Sequence, residues 1–220
     1  MRPGPPTRYA RPVTEVIALE RPGVRGFLHR PDTSAGRGLV LTHGAGGNCT
    51  APLLVKLAEA FAAAGFAVLR CDLPFRQRRP KGPPAPATAG EDRAGLRAAV
   101  LALREMAPGR LFLGGHSYGG RQASMLAAEE PGIAEALLLL SYPLHPPGKP
   151  ERPRTAHFPR LRVPGLFVHG TTDPFGTVDE LRAALAAIRA PTRLIAVDKA
   201  GHDLKRGRFD LAAAAAALLA

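Results

Sequence analysis

Short apolar runs alternate with helical segments along most of this chain. The strand-like runs occupy residues 38–42, 66–71, 110–114, 136–140, 163–169 and 193–197, and helical spacing marks residues 51–64, 91–106, 119–129, 178–188 and 209–219. Parallel strands need crossover helices, so this alternation predicts a doubly wound, mostly parallel α/β sheet of about seven or eight strands flanked by helices. Two earlier runs, residues 13–19 and 24–29, flank a Pro-Gly turn and predict an antiparallel edge.

The length and composition suit one domain. A chain of 220 residues with 45% apolar content has a sizeable core, and we predict a flexible, basic, proline-rich N-terminus over residues 1–12 and a single domain over residues 13–220. The chain lacks an apolar run of eighteen residues and a secretory signal, so we expect a cytoplasmic protein and no membrane partner. Cys49 and Cys71 are interpreted as reduced thiols, too few for a structural metal site.

The formal net charge of +12 suggests an acidic partner such as nucleic acid. The basic residues are spread along the chain, however, with only small clusters at residues 76–81 and 152–154. Aromatic residues do not interleave with these clusters, as a base-stacking surface requires. We therefore expect no nucleic-acid partner and interpret the charge as solvated surface, while a preference for anionic substrates stays open.

The segment GGHSYGG at residues 114–120 lies between an apolar strand and an alanine-rich helix. A serine at a sharp strand-to-helix turn has a strained backbone, so the residues two before and two after it must be small. Gly115 and Gly119 meet that requirement around Ser117. The pattern predicts Ser117 as a nucleophile; a glycine-rich turn that merely contains serine is the alternative, and the spacing fits neither common phosphate-binding motif.

A serine hydroxyl needs a general base, and the base needs an acid that fixes its tautomer. Asp173 follows the predicted strand that ends at residue 169, and His202 follows the last predicted strand. Both then lie on loops at the same sheet edge as Ser117, and we predict that the three converge. Asp179 is a rival acid, but it lies inside a predicted helix, and Asp203 is too close to His202 in sequence.

Acyl transfer also needs N–H donors for the oxygen that becomes negatively charged. We assign one to the backbone of Tyr118, the residue after the nucleophile, and one to the glycine-rich loop HGAGG at residues 43–47. Within that loop we place the donor on Ala45, with Gly44 as the neighbouring alternative. A further set of residues is expected to shape the pocket: Gly44, His43, Phe75 and Tyr142.

Two proline-rich segments, residues 73–90 and 142–164, lack helical periodicity. In a doubly wound sheet both would lie at the carboxyl edge, where ligands bind. We interpret them as candidates for the rim through which substrate enters; the alternative is that they are plain connectors.

These motifs resemble the α/β-hydrolase superfamily over about residues 13–219. Four segments, LTHGAGG (41–47), DLPF (72–75), GGHSYGGR (114–121) and HGTTDPFG (169–176), are similar to small, lidless bacterial hydrolases. That group is related to the testis-expressed-30 and KAT8-regulatory-NSL-subunit-3 proteins, and more distantly to dienelactone hydrolases. The resemblance implies the α/β-hydrolase fold without a lid domain, a Ser117, Asp173 and His202 triad, and no cofactor.

Two differences from these relatives affect the predicted pocket. Dienelactone hydrolases carry Cys where this chain has Ser117, so their lactone substrate is not carried over. Tyr118 stands where close relatives more often have Met, and we expect it to alter the pocket wall.

The predicted activity is hydrolysis of an ester, thioester or related acyl bond in a small molecule. Two alternatives stay open: a noncatalytic module of the same fold that binds an acidic partner, and dehalogenase or lyase chemistry, which would favour a carboxylate nucleophile. The sequence leaves the substrate and the oligomeric state undetermined.

Overall fold

The computed structural model describes residues 15–207 and 209–219, whose backbone is organised around one eight-stranded sheet. The strands are β1 (Glu15–Arg21), β2 (Val24–Arg30), β3 (Arg37–Thr42), β4 (Phe66–Cys71), β5 (Arg110–His116), β6 (Ala136–Leu140), β7 (Gly165–Gly170) and β8 (Thr192–Val197). The helices are α1 (Pro52–Ala63), α2 (Pro74–Arg78), α3 (Ala89–Met106), α4 (Tyr118–Glu129), α5 (Val178–Leu185) and α6 (Leu211–Leu219).

The strands lie in the order β1-β2-β4-β3-β5-β6-β7-β8. β2 pairs antiparallel with β1 and β4, and every other neighbouring pair is parallel. The mostly parallel α/β sheet with an antiparallel edge is therefore confirmed. The predicted N-terminal segment, residues 1–12, lies outside the described residues. Within the described part of the chain we find no lid domain, and no helix there is long and apolar enough to cross a membrane.

Helices cover both faces of the sheet and create two cores. One core packs the sheet against α3, α4 and α5, and the other packs it against α1 and α6. Strands β4, β6 and β7 are buried along their whole length. Because these strands face a helix layer on each side, their residues are mostly apolar in sequence; Arg70 in β4 and His169 in β7 are exceptions.

The two proline-rich segments contain more helix than we expected. Residues 73–90 include α2 and a short 3-10 turn (Pro86–Thr88), and residues 142–164 include another (Phe158–Arg160). Proline at the first position of a helix costs no hydrogen bond, so these prolines start helical turns rather than prevent them. The basic cluster at residues 76–81 also departs from prediction, because Arg76 is buried.

The turn between β5 and α4 brings the sheet and the helix into close contact. Ser117 occupies this turn with φ 51° and ψ −118°, a conformation that costs a non-glycine residue about 1–3 kcal/mol. A Cβ atom on Gly115 would lie 2.8 Å from the Gly119 carbonyl carbon, and one on Gly119 would lie 2.5 Å from the His43 oxygen. The two glycines are therefore a steric requirement of the turn, and the predicted strand, turn and helix are confirmed.

We predict that Gly119→Ala destabilises the protein by about 1–3 kcal/mol or more, because the new methyl group meets backbone atoms that have no room to move. Gly90→Ala is the matched control: Gly90 is exposed in α3, and a Cβ there would have no neighbour closer than 4.0 Å. The control should be neutral or slightly stabilising, since alanine favours a helix. Urea unfolding of both variants measures the difference, and equal stabilities would contradict the steric account.

Candidate active site

Three side chains form a line of hydrogen bonds at the carboxyl edge of the parallel strands. Ser117 Oγ lies 2.7 Å from His202 Nε2, and His202 Nδ1 lies 2.8 Å from Asp173 Oδ2. A carboxylate accepts hydrogen bonds, so the imidazole proton is on Nδ1 and Nε2 accepts from the serine hydroxyl. The structure thus brings together Ser117, His202 and Asp173, which the sequence places on separate loops.

These three groups differ in their access to solvent. The Asp173 side chain is fully buried, whereas 21% of the His202 side chain is exposed. Asp173 Oδ1 also accepts the Phe175 N–H at 2.9 Å, and the buried His169 ring donates to the Gly176 oxygen at 2.7 Å in the same loop. Asp173 is therefore fixed by its own loop, while His202 keeps an edge toward solvent.

The loops that carry Asp173 and His202 are hydrogen-bonded directly to each other. The Thr172 N–H and hydroxyl both donate to the Ala200 oxygen at 2.9 Å, and the Thr171 N–H donates to the Val197 oxygen at 3.0 Å. Lys199 returns a bond from its N–H to the Thr171 hydroxyl at 2.9 Å. These backbone links set the separation of the two loops independently of the Asp173–His202 contact.

Two residues that the sequence analysis did not assign hold His202 in place. The Nε2–H of His116 donates to the His202 carbonyl at 2.7 Å, and the Phe175 ring stacks on the His202 imidazole at a centroid distance of 4.1 Å. Burial lowers the pKa of His116, so the ring is neutral at neutral pH. The sequence could have indicated both residues by their position, because His116 immediately precedes Ser117 and Phe175 lies two residues after Asp173.

The loop at residues 43–47 passes directly beside Ser117. A Cβ on Gly44 would lie 3.3 Å from Ser117 Cβ and 3.0 Å from His116 Nδ1, so only glycine fits without displacement. The Gly44 oxygen accepts from His43 Nδ1 at 2.8 Å and from the Gly47 N–H at 3.0 Å. In a trans peptide the next N–H points the opposite way, so the Ala45 N–H is directed away from the His43 ring.

His43 is fully buried, and both of its ring nitrogens form hydrogen bonds with the backbone. Its Nε2 accepts the Leu73 N–H at 3.1 Å, which leaves the ring proton on Nδ1 for the Gly44 oxygen. Burial lowers the pKa of His43, which agrees with a neutral ring. His43 borders the cavity, as predicted, but neither nitrogen is free to contact a ligand or a metal.

Ser117, His116 and His202 line one side of a cavity of about 740 Å³, which is a typical size for a small-molecule site. Gly44 and Ala45 also line it. The remaining wall comes mainly from the start of α1 and the segment between β8 and α6. It is apolar at Ala51, Pro52, Leu53, Leu54, Leu204, Phe209 and Leu211, and it carries charges at Lys56, Asp203 and Lys205. This cavity therefore opens on the α1–α6 side of the sheet.

Phe75 and Tyr142 lie outside this cavity, contrary to our expectation. Both pack in the core on the α3–α5 face, Phe75 against the Tyr118 ring at 5.8 Å and Tyr142 against Phe158 at 5.2 Å. The Tyr118 side chain is also turned away, since its hydroxyl donates to Asp92 Oδ2 at 2.7 Å. The expected effect of Tyr118 on the pocket wall was therefore wrong, because its ring does not line the cavity. Phe75 lies behind the His43 ring, at a centroid distance of 5.6 Å.

Other nucleophilic side chains are poorly placed for reaction. Cys49 and Cys71 are free, buried thiols, and burial raises the pKa of Cys49 to about 12 and raises that of Cys71 as well. Ser124 lies 2.8 Å from His157 Nε2 but is fully buried in α4. Among residues 15–207 and 209–219, no three His, Cys, Asp or Glu side chains gather where they could hold a metal ion.

Comparisons with known proteins agree with this architecture. In solved structures, a dienelactone hydrolase from Anabaena variabilis ATCC 29413 is 23% identical with a TM-score of 0.71, over 94% of this chain and 95% of that chain. An alpha-beta serine hydrolase homologue from Coxiella burnetii is 18% identical with a TM-score of 0.70, over 93% and 95% of the two chains.

Est1E from Butyrivibrio proteoclasticus is 17% identical with a TM-score of 0.69, over 92% of this chain and 95% of that chain. At these identities the likeness concerns the fold. The family model described as alpha/beta hydrolase domain matches residues 35–217. Because that match spans most of the chain, this protein belongs to the alpha/beta hydrolase domain family.

Proposed function

We propose that this protein is a serine hydrolase that cleaves an ester, thioester or related acyl bond in a small molecule. The observation that carries the proposal is the 2.7 Å contact between Ser117 Oγ and His202 Nε2, with His202 Nδ1 held by Asp173. A nucleophile bonded to a base, and a base bonded to a buried acid, are the parts that acyl transfer through a covalent intermediate requires.

The first half of the reaction acylates the serine. Ser117 Oγ attacks the substrate carbonyl carbon while His202 Nε2 takes the hydroxyl proton, and Asp173 stabilises the imidazolium that forms. When the tetrahedral intermediate collapses, the bond to the leaving group breaks and His202 returns the proton to the departing oxygen or sulfur. The products of this half are a free alcohol or thiol and an acyl ester on Ser117.

The second half uses water in place of the serine hydroxyl. His202 takes a proton from a water molecule, whose oxygen attacks the acyl carbon, and then returns that proton to Ser117 Oγ as the acid leaves. The partial exposure of His202 supports this step, because water reaches the base from solvent. The backbone N–H groups of Tyr118 and Ala45 are proposed to stabilise the oxyanion in both halves.

Asp173 is preferred as the acid over the alternatives in the sequence. The rival Asp179 has an 89% exposed side chain that pairs with Arg182 on the surface of α5. Asp203 is also exposed and pairs with Lys205 at 3.1 Å. A buried carboxylate keeps its hydrogen bond to the imidazole free from competition with water, so Asp173 is the better orienting group.

The cavity suggests what kind of acyl group fits. Aliphatic and aromatic side chains form a large part of its wall, and its volume of about 740 Å³ exceeds what an acetyl group fills. Burial of apolar area contributes roughly 25 cal/mol per Å². We therefore propose that the acyl or alcohol portion of the substrate is apolar and larger than acetyl.

We also propose that this protein is related, through the four motifs quoted above, to the testis-expressed-30 and KAT8-regulatory-NSL-subunit-3 group. We further propose that residues 13–220 form a single domain.

The proposal predicts that a fluorophosphonate probe labels the folded protein on Ser117 and that Ser117→Ala abolishes both labelling and ester hydrolysis. Ser124→Ala is the matched control, because Ser124 also contacts a histidine but is fully buried. The control should label as the wild type does. If the folded wild-type protein forms no adduct on Ser117, that result would contradict the proposed serine hydrolase activity and favour a noncatalytic interaction module.

For Asp173→Asn we predict a fall in kcat of roughly 10²- to 10⁴-fold, because an amide no longer fixes the His202 tautomer that accepts the serine proton. Asp179→Asn is the control, because Asp179 is exposed on α5 and does not line the cavity, and it should change kcat by less than about 3-fold. Steady-state hydrolysis of a p-nitrophenyl ester measures both variants. A large loss in Asp179→Asn with little loss in Asp173→Asn would assign the acid elsewhere.

Substrate size is predicted to affect the rate through the apolar cavity. Among p-nitrophenyl esters, kcat/KM should rise from acetyl to hexanoyl, and Leu53→Trp should lower the hexanoyl value by about 10-fold while the acetyl value changes little. Leu101→Trp is the control, since Leu101 is exposed on α3 and does not line the cavity. A flat chain-length profile, or equal losses for both esters in Leu53→Trp, would exclude this cavity as the acyl site.

A further inference from the structure

Arg76 is a buried cation whose three side-chain nitrogens all donate to backbone oxygens. It lies in the short helix α2 and is 3% exposed. Its Nε donates to the Gly47 oxygen at 2.7 Å, and one Nη donates to the oxygens of Ala45 at 2.8 Å and Gly82 at 3.0 Å. The other Nη donates to the Arg79 oxygen at 3.2 Å. The guanidinium thus connects the loop beside Ser117 with the segment that follows α2.

The charge of Arg76 is compensated without an acid. Among the ion pairs formed by the described residues, none involves Arg76, and its guanidinium carbon lies 4.9 Å from the centre of the Phe75 ring. A buried charge is costly unless hydrogen bonds satisfy it. The planar guanidinium of Arg76 satisfies its charge by donating to several carbonyls at fixed angles, and the ammonium group of a lysine cannot reproduce that geometry.

The carbonyls that Arg76 binds belong to the loop that we assign to the oxyanion hole. Glycine at positions 44, 46 and 47 gives this loop several accessible backbone conformations. His43 fixes the Gly44 oxygen, and Arg76 fixes the oxygens of Ala45 and Gly47. Since each trans peptide turns its N–H away from the oxygen of the preceding residue, the bond from His43 directs the Ala45 N–H, and the bonds from Arg76 direct the N–H groups of Gly46 and Asn48.

We propose that Arg76 is a positioning residue for the oxyanion hole: it holds the oxygens of Ala45 and Gly47 so that the loop cannot rotate, and the Ala45 N–H, which the His43–Gly44 bond directs, stays aligned before substrate arrives. This inference rests on the proposed function. Arg76 acts through the loop and does not line the cavity. A donor that is already aligned costs no reorganisation in the transition state, so loss of Arg76 lowers kcat more than it weakens substrate binding.

The experiment compares Arg76→Met, Arg76→Lys and Arg78→Met in the full chain. Arg78 lies in the same helix but is half exposed and pairs with Glu91, so its removal controls for changes in α2. With a p-nitrophenyl ester, we expect Arg76→Met to lower kcat by about 10- to 100-fold with KM changed by less than about 3-fold. The kcat of Arg76→Lys should lie between those of Arg76→Met and the wild type, because lysine keeps the positive charge but lacks the planar guanidinium. Arg78→Met should match the wild type.

A second readout separates alignment from a general structural effect. A trifluoromethyl ketone forms an oxyanion on the serine, whereas the corresponding amide resembles the ground state. The inhibition constant of the ketone should rise in proportion to the loss in kcat/KM across the Arg76 variants. The affinity for the amide should change by less than about 3-fold. Each variant is assayed well below its own midpoint of thermal unfolding.

The outcomes distinguish this inference from the proposed function. A wild-type protein without Ser117-dependent turnover overturns both. Wild-type turnover together with folded Arg76 variants of unchanged kcat overturns the Arg76 inference alone. Equal weakening of the ketone and the amide also overturns it, because that result indicates a distorted cavity. If Arg76→Met does not fold, Arg76→Lys decides, and an unchanged kcat in that variant contradicts the inference.

Discussion

The close contact between the end of β5 and the start of α4 is the constraint on which the site depends. Ser117 leaves the sheet with a positive φ, and the turn is possible because Gly115 and Gly119 have no side chains to collide. The strain of about 1–3 kcal/mol at one residue is offset by the packing of a strand and a helix that are both buried. In return, a serine hydroxyl is held at the sheet edge with little freedom to move.

The parallel sheet converts separation in sequence into proximity in space. Ser117 and His202 are 85 residues apart, yet the strands that precede them end at the same edge. Direct backbone hydrogen bonds between the loops after β7 and β8 then set the distance from Asp173 to His202. The hydrogen bond of His116 and the stacking of Phe175 restrict the imidazole further. Alignment of the site is thus a property of the loops around it as much as of the three side chains.

Much of this arrangement was predictable because it depends on local patterns. Parallel strands buried on both faces give continuous apolar runs, and the turn around Ser117 demands glycine at two fixed positions. Loops after successive strands share an edge, which placed Asp173 and His202 near the serine. The remainder depends on which face of the sheet a side chain meets, and a motif does not encode that. Phe75 and Tyr142 therefore seemed suited to the pocket but pack on the opposite face.

Arg76 illustrates a second limit of prediction. In sequence it belongs to a run of basic residues, and such runs usually lie on a solvated surface. Its burial follows from the short helix that begins at Pro74 and turns the guanidinium toward the carbonyls of a loop thirty residues earlier. The sequence contains no periodicity or spacing that reports this contact. The interaction becomes visible once the two loops are seen together.

The central claim is that Ser117 becomes covalently acylated during turnover, and rapid-quench mass spectrometry tests it most directly. The protein is mixed with p-nitrophenyl butyrate, quenched in acid within milliseconds to seconds, and digested. We predict a transient butyryl group, in place of one hydrogen, on the peptide that contains Ser117, and its decay should occur at a rate no slower than kcat. Turnover with the butyryl group on a different residue, or with no acylated peptide during a pre-steady-state burst of p-nitrophenol, would contradict the account.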